Sequence, residues 1–337
     1  MRPLEMGFIL TAISCLLITT NLLVAVVLFR ILQKKSSQSW CFVLNLALAD
    51  TLVGVAATGL ATEDFKNNVT SLHCDLRADP GSNSTPAAPG KSRCLMRMAF
   101  VMSPCTASIL SMFLISLDRY AAIKMPLRYS QLSGKATAAG SLFLLWSCSF
   151  ILGFSPVMVP QLQTVGYSGV CAFFSVIYPA GIIVVFSGCF FPVLSIFVCI
   201  YLDILKIACS HQKQILRIRQ AGSRTSDSAD PGGCHQQDGR RYWSHVKALK
   251  TVAMLVGCFL LLWCPFFVGC IVQLLCKKCK LIKVLENYLW LLGLSNSLIN
   301  PLVYAYRQRE VRMELAAMFC CSSALRARGD TQQPGQA

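Results

Sequence analysis

Seven long apolar runs, separated by short polar connections, dominate the pattern of this chain. A helix needs roughly 18–20 apolar residues to cross a ~30 Å hydrocarbon core at 1.5 Å per residue. Each run meets that length. In lipid, backbone N–H and C=O groups must be paired within the segment, so runs this long are helices. The predicted helices cover about 6–31, 40–62, 94–123, 135–159, 172–208, 244–275 and 284–306. The fourth and fifth belong to one uncharged stretch from 136 to 202, divided here at the polar, glycine-containing segment 161–169. The fold class expected is an all-α membrane protein: a seven-transmembrane helix bundle over 6–306 behind a short N-terminus, 1–5.

Beyond the bundle, segment 307–321 alternates charged residues with Val311, Leu315, Met318 and Phe319. That pattern suits a short amphipathic eighth helix on the inner leaflet. A cytoplasmic tail, 322–337, follows it. Segments 75–92 and 222–239 are rich in Gly, Ser and other small or polar residues and read as unstructured insertions. The first apolar run exceeds the ~7–15 residues of a signal-peptide core, and no small-residue cleavage site follows it. It is read as helix one.

Composition agrees with a bilayer. Only 14% of residues are charged, against about 25% in soluble domains. Most of the 18 cysteines lie in apolar runs, where cysteine behaves as a small hydrophobe. The net charge of +16 is scattered over the connections, which disfavours a nucleic-acid surface. Alternate connections carry 21 Lys/Arg on one side and 10 on the other. The richer set faces the cytoplasm, which places the N-terminus outside. The sequons at Asn68 and Asn83 then fall on the outer side, as glycosylation requires. Cys94 and Cys171 fall outside as well, in an oxidising compartment, and are expected to pair. Cys276-x-x-Cys279 can close a local bridge or pair otherwise with Cys74. Cys320 and Cys321, closing the amphipathic segment, are candidate palmitoylation sites.

An intramembrane enzyme would need a nucleophile with a base, or a metal cluster, at membrane depth. All four histidines lie outside or at the ends of spans and no lysine is mid-span, so those parts are missing. A transporter would show paired, broken helices in two repeated halves. Seven unlike spans do not.

Charges inside spans are costly and therefore informative. Asp50 sits mid-span in the second run. With it, in order, come Asn21, Leu46-Ala47, Asp118-Arg119-Tyr120, Trp146, Pro192, Trp263-Cys264-Pro265 and Asn300-Pro301-x-x-Tyr304. This set resembles the rhodopsin-like (class A) G-protein-coupled receptors across essentially the whole chain. The resemblance implies a polar pocket of Asp50, Ser108, Asn296 and Asn300 able to hold a sodium ion, with no other cofactor. It implies a packing switch at Ile109, Pro192 and Phe259, and coupling residues Asp118, Arg119, Tyr120, Leu127, Pro301 and Tyr304 that meet a heterotrimeric G-protein.

Two departures bear on activation. His245 stands near where many relatives carry an acid that locks Arg119, and Ile200 replaces the helix-five tyrosine, with Tyr201 one position off. The inactive state is therefore expected to lack one contact.

The ligand class follows by exclusion and by closer likeness. Val101 stands where amine receptors carry an aspartate, and Leu294 where opsins carry the retinal lysine. Phe173, Phe174, Trp263, Phe266, Phe267 and Trp290 are expected to line the pocket, with Glu286 at its rim. Convergent aromatics favour an apolar ligand. The strings Cys41-Phe-Val-Leu-Asn-Leu-Ala and Val284-Leu-Glu-Asn-Tyr-Leu-Trp resemble a branch of the family that senses fatty-acid amides and lysophospholipids and couples to the stimulatory G-protein. A class A receptor for another small ligand, or with another G-protein, is the alternative.

Overall fold

The computed structural model describes residues 3–75, 90–167, 171–182, 190–203, 206, 210, 234–276 and 278–330; along 63–75, 234–250 and 320–330 it describes the backbone alone. Helices α1 (Pro3–Lys34), α2 (Gln38–Asp75) and α3 (Lys91–Lys124) come first. A short α4 (Pro126–Leu132) leads into α5 (Lys135–Met158). Two single turns, α6 (Phe173–Val176) and α7 (Pro179–Ile182), precede α8 (Phe190–Asp203). Then come α9 (Cys234–Leu275), α10 (Ile282–Val284), a π turn over Leu285–Leu289, α11 (Trp290–Leu294), α12 (Asn296–Arg307) and α13 (Arg309–Asp330). The one β pairing among the described residues is an isolated bridge, Gln163 to Ile177. Five helices (α1, α2, α3, α5 and α9) are long and apolar enough to cross a membrane, and α8 is a shorter apolar helix.

The polarity is reversed relative to a soluble bundle. Asp50, Asn21, Ser149 and Asn300 are buried, while Phe143 is 77% and Leu261 76% exposed. An exposed apolar belt over a hydrogen-bonded interior suits a hydrocarbon solvent, in which polar groups must find partners inside the protein.

Helix association in such a solvent rests on close packing of small residues. α3 packs against both α2 and α5. At the α3–α5 crossing, a Cβ on Gly153 would lie 2.7 Å from the Ser103 Cα. Beside it the Ser149 hydroxyl donates to the Ser103 carbonyl. Ala49, Ala107 and Leu145 continue the seam, with Trp146 packed on it. Trp146 Nε1 donates to Asn45 Oδ1 at 2.9 Å, and Asn45 Nδ2 donates to Ser111 Oγ at 2.8 Å, so one amide joins α2, α3 and α5. At the other end of the molecule Lys34 pairs with Glu314, and Lys35 with Glu310 at 2.8 Å, tying α13 to the end of α1.

Four predicted boundaries are corrected. The fifth helix does not begin at 172. The run from Cys171 to Tyr178 folds back instead: Thr164 N donates to Val176 O and Tyr178 N to Leu162 O. Those partners, and Pro179 with its missing N–H, stop a continuous helix from forming there. α2 runs on to Asp75 because no Gly or Pro interrupts 63–75. Asn68 therefore stands on a helix rather than a loop, while Asn83 lies outside the described residues. α9 begins at Cys234 rather than 244, and α13 continues through the predicted tail to Asp330.

The Gly153 approach makes a direct prediction. Gly153→Ala is expected to destabilise the protein by about 1–3 kcal/mol, the usual cost of overpacking. A lowered unfolding temperature in detergent checks it; unchanged stability would show that α3 and α5 do not approach so closely.

Candidate functional site

Four sets of side chains carry the motifs, one near each end of the bundle and two between them. At one end, Cys94 near the start of α3 is bonded to Cys171, which holds the run that follows it against α3. That run is tied to Thr164, whose Oγ1 donates to Ser175 O, and Thr164 is tied to α3 by Lys91 Nζ donating to its carbonyl, both at 2.7 Å. Its tip, α6, carries Phe173 and Phe174 edge to face, 5.4 Å between centroids, with Phe174 buried. The Phe174 N–H donates to Glu286 Oε1 at 2.9 Å. Glu286 is thus a clamp on this lid, a partner that sequence reasoning did not provide. A second bridge, Cys276 to Cys279, closes the turn between α9 and α10.

Below lies an aromatic layer. Trp263 contacts Phe266 and Phe267, each at 6.0 Å, and Phe267 stacks on Phe190 of α8 at 3.8 Å. Phe190 also meets Phe259, which contacts Phe197 at 6.4 Å. Ile109 packs against this core, whereas Pro192 is exposed on α8. Trp290 is half-buried against the same core. Gly293 makes room for the indole: a Cβ there would sit 2.8 Å from Trp263 Cε3.

In the middle, Asp50 is fully buried and accepts three hydrogen bonds, from Ser108 Oγ at 2.7 Å, Ser297 Oγ at 2.6 Å and Asn300 Nδ2 at 2.7 Å. Ser297, not Asn296, is the third partner. Asn296 Oδ1 and Asn300 Oδ1 are buried without a hydrogen-bond partner. Asn21 Nδ2 donates to Ser297 O at 3.0 Å, bringing α1 to the same point.

At the opposite end, Arg119 pairs with its neighbour Asp118. Asp118 also accepts from Ser39 Oγ at 2.6 Å, Tyr129 Oη at 2.9 Å and Gln38 Nε2 at 3.2 Å, linking α2, α3 and α4. Tyr120 Oη donates to Asp203 of α8 at 2.7 Å, and Lys124 pairs with that carboxylate. Leu127 is 84% exposed on α4. Pro301 and Tyr304 are buried in α12. The side chains of His245, Cys320 and Cys321 lie outside the described residues. Gln38, Ser39, Tyr129 and Asp203 have no local sequence signal; the partners of Gln38, Ser39 and Asp203 lie about 80 residues away, and that of Tyr129 lies 11 away on another helix. Ser297 could have been suspected, since positions 297 and 300 share a helical face as well as 296 and 300 do.

The Gly293–Trp263 contact is testable by a double-mutant cycle. Gly293→Ala is expected to lower stability by roughly 1–3 kcal/mol, and the loss should shrink markedly in a Trp263→Leu background. Additive losses in thermal unfolding would mean that the two residues do not meet.

These geometries can be set against known proteins. The model of the rhodopsin family of 7 transmembrane receptors matches residues 20–304. The chain is 42% identical over 313 residues to the glucose-dependent insulinotropic receptor of Homo sapiens, covering 93% of this chain and 85% of that one. It is 41% identical to the Rattus norvegicus protein of the same name, covering 97% of this chain and 64% of that one. The adenosine receptor A2a of Homo sapiens is 29% identical over 317 residues, 89% of this chain and 68% of its own length. The chain belongs to the rhodopsin family of seven-transmembrane receptors, multi-pass plasma-membrane proteins that couple to G-proteins and are not enzymes.

Proposed function

We propose that this receptor answers to a lipid-like agonist, a fatty-acid amide or lysophospholipid, and activates the stimulatory G-protein to raise cyclic AMP. The observation that carries the reading is the clamp of Glu286 on the Phe174 N–H at 2.9 Å, next to the aromatic side chains expected to line the pocket. A lid held by one carboxylate over apolar rings suits a ligand with a small polar head and a long apolar body. Each buried CH₂ of an acyl chain contributes about 0.8 kcal/mol, so polar groups at the rim must supply the selectivity. The likeness of strings near Cys41 and Val284 to the lipid-sensing branch supports the same reading. The N-terminus is taken to be extracellular, with Asn68 and Asn83 glycosylated and Cys320 and Cys321 palmitoylated on the inner side.

Activation is assigned to the elements that the motifs mark. Trp263, Ile109, Pro192 and Phe259 would relay a change at the lid to α9, and Arg119 would leave Asp118 to meet the G-protein, with Tyr120, Leu127, Pro301 and Tyr304 shaping that surface. Asp50, Ser108, Asn296 and Asn300 would hold a sodium ion, a reading supported by the oxygen chemistry of the set and by the two amide oxygens, on Asn296 and Asn300, that have no hydrogen-bond partner. A bound cation biases the receptor only through unequal affinity for its two states.

A cyclic AMP assay across acylethanolamides and lysophospholipids tests the ligand. Glu286→Gln is expected to cut potency about tenfold, a loss of about 1.4 kcal/mol, and Trp290→Ala to cut it for every chain length. Normal responses in both mutants, with activation by a hydrophilic amine instead, would favour the other small-ligand reading. Separately, Asp50→Asn is expected to abolish the effect of sodium on agonist affinity; an unchanged sodium effect would leave Asp50 a structural residue.

A further inference from the structure

Two disulfides stand near the lid, and they differ in what governs reduction. Cys94 is 2% exposed, and its bond to Cys171 closes a separation of 77 residues. Cys276 and Cys279 are half-buried and only three positions apart, on the turn between α9 and α10. A bond that closes so short a loop removes little chain entropy from the unfolded state, so the fold survives its loss. Exposed bridges are also the ones that thiols reach.

The turn sets where Glu286 stands. The Cys279 N–H donates to Cys276 O at 3.1 Å, and the Leu281 N–H donates to Gln273 Oε1 at 2.7 Å, which returns the chain to α9. The Leu285 N–H then donates to Leu281 O at 2.9 Å, at the entry to the π turn that carries Glu286. Leu285 is buried, and a Cβ on Gly269 of α9 would lie 2.9 Å from its Cδ2. Glu286 follows directly and accepts from the Phe174 N–H, which lies in the first turn of α6, where a helix offers no acceptor of its own.

We propose that Cys276–Cys279 is a redox switch on the lid: an external dithiol reduces it, the turn loosens, and Glu286 releases the Phe174 N–H more often. The switch rests on the outward orientation of this end and on the lid role proposed above. A thiolate of the reductant attacks the Cys276 sulfur, the S–S bond breaks, and Cys279 leaves as a thiolate that takes a proton from water. Cys279 is the better leaving group. It lies between the exposed Lys278 and Lys280, whereas Cys276 follows the C-terminal end of α9, where negative charge is disfavoured. The second thiol of the reductant then displaces Cys276, which is protonated in turn. Two electrons and two protons reach the receptor, and the reductant ends as its own cyclic disulfide. A dithiol resolves the mixed disulfide from within one molecule, whereas a monothiol is expelled by Cys279 before a second one arrives. Leu285 stays packed on α9 in both states, so the occupancy of one hydrogen bond changes and the fold does not.

Full-length receptor in phosphatidylcholine nanodiscs provides the test, treated with graded dithiothreitol, alkylated, and mapped by peptide mass spectrometry. Cys276 and Cys279 are expected to be labelled at concentrations that leave Cys94–Cys171 intact, and glutathione at equal thiol concentration to open far less. Hydrogen–deuterium exchange at the Phe174 amide is expected to rise about tenfold on reduction, the protection given by one hydrogen bond, and to fall back on reoxidation. In Glu286→Ala the exchange should start high and not respond to reduction, and the Cys276→Ser/Cys279→Ser double variant should match the reduced receptor. Opening of Cys94–Cys171 at the same concentration, equal opening by glutathione, or unchanged Phe174 exchange in the reduced wild-type receptor overturns the switch. The lipid reading is judged apart from it. Exchange that rises while lipid potency in the cyclic AMP assay stays constant supports the switch and removes the lid from agonist recognition.

Discussion

A carboxylate buried at membrane depth organises this molecule. Asp50 would be prohibitive without partners, and it holds three, from α3 and α12, while it belongs to α2. Burying one polar group therefore specifies the mutual placement of three helices. Asn21 adds α1 by donating to the backbone of Ser297, the residue that also serves Asp50. In a hydrocarbon solvent, where apolar contact alone does not tell one helix face from another, such directional bonds select a single arrangement. The price of that specificity is a pair of amide oxygens, on Asn296 and Asn300, that the protein itself leaves unsatisfied.

The two ends hang from this centre by different physics. At the Cys94 end, covalent and hydrogen-bonded ties hold a short segment: Cys171 to α3, and Phe174 to Glu286. The lid is fixed at both sides, by a bridge that does not open and a single bond that can. At the Arg119 end, ion pairs are joined by neutral hydrogen bonds, and Asp118 at their centre is buried. Asp118 gathers Arg119, Ser39, Tyr129 and Gln38, and Asp203 gathers Tyr120 and Lys124. Of these ties the Lys124–Asp203 pair is the solvent-exposed one, and exposed pairs are individually weak.

Between these ends the aromatic layer is packed at a close approach that only glycine permits. Gly293 lets the Trp263 ring lie against the α11 backbone, and Phe267 stacks on Phe190 across to α8. Interiors of this density transmit displacement instead of absorbing it. Trp263 is thus in contact with α11, and through Phe267 with α8.

The sequence by itself determined the helical membrane class, because apolar run length and charge avoidance are local properties. It also determined the family, because Asp50, Arg119, Trp263 and Pro301 stand in motifs readable without coordinates. Where local and long-range demands compete, tertiary structure decided. Residues 172–178 are apolar enough for a helix but are held by a disulfide, a β bridge and Leu162. Glu286 has lysines nearby in sequence, yet it holds a backbone N–H 112 residues away. Asp50 takes its third bond from Ser297, although Asn296 shares a helical face with Asn300 equally well. Periodicity states which residues share a face; only the packed neighbours state which of them makes the bond.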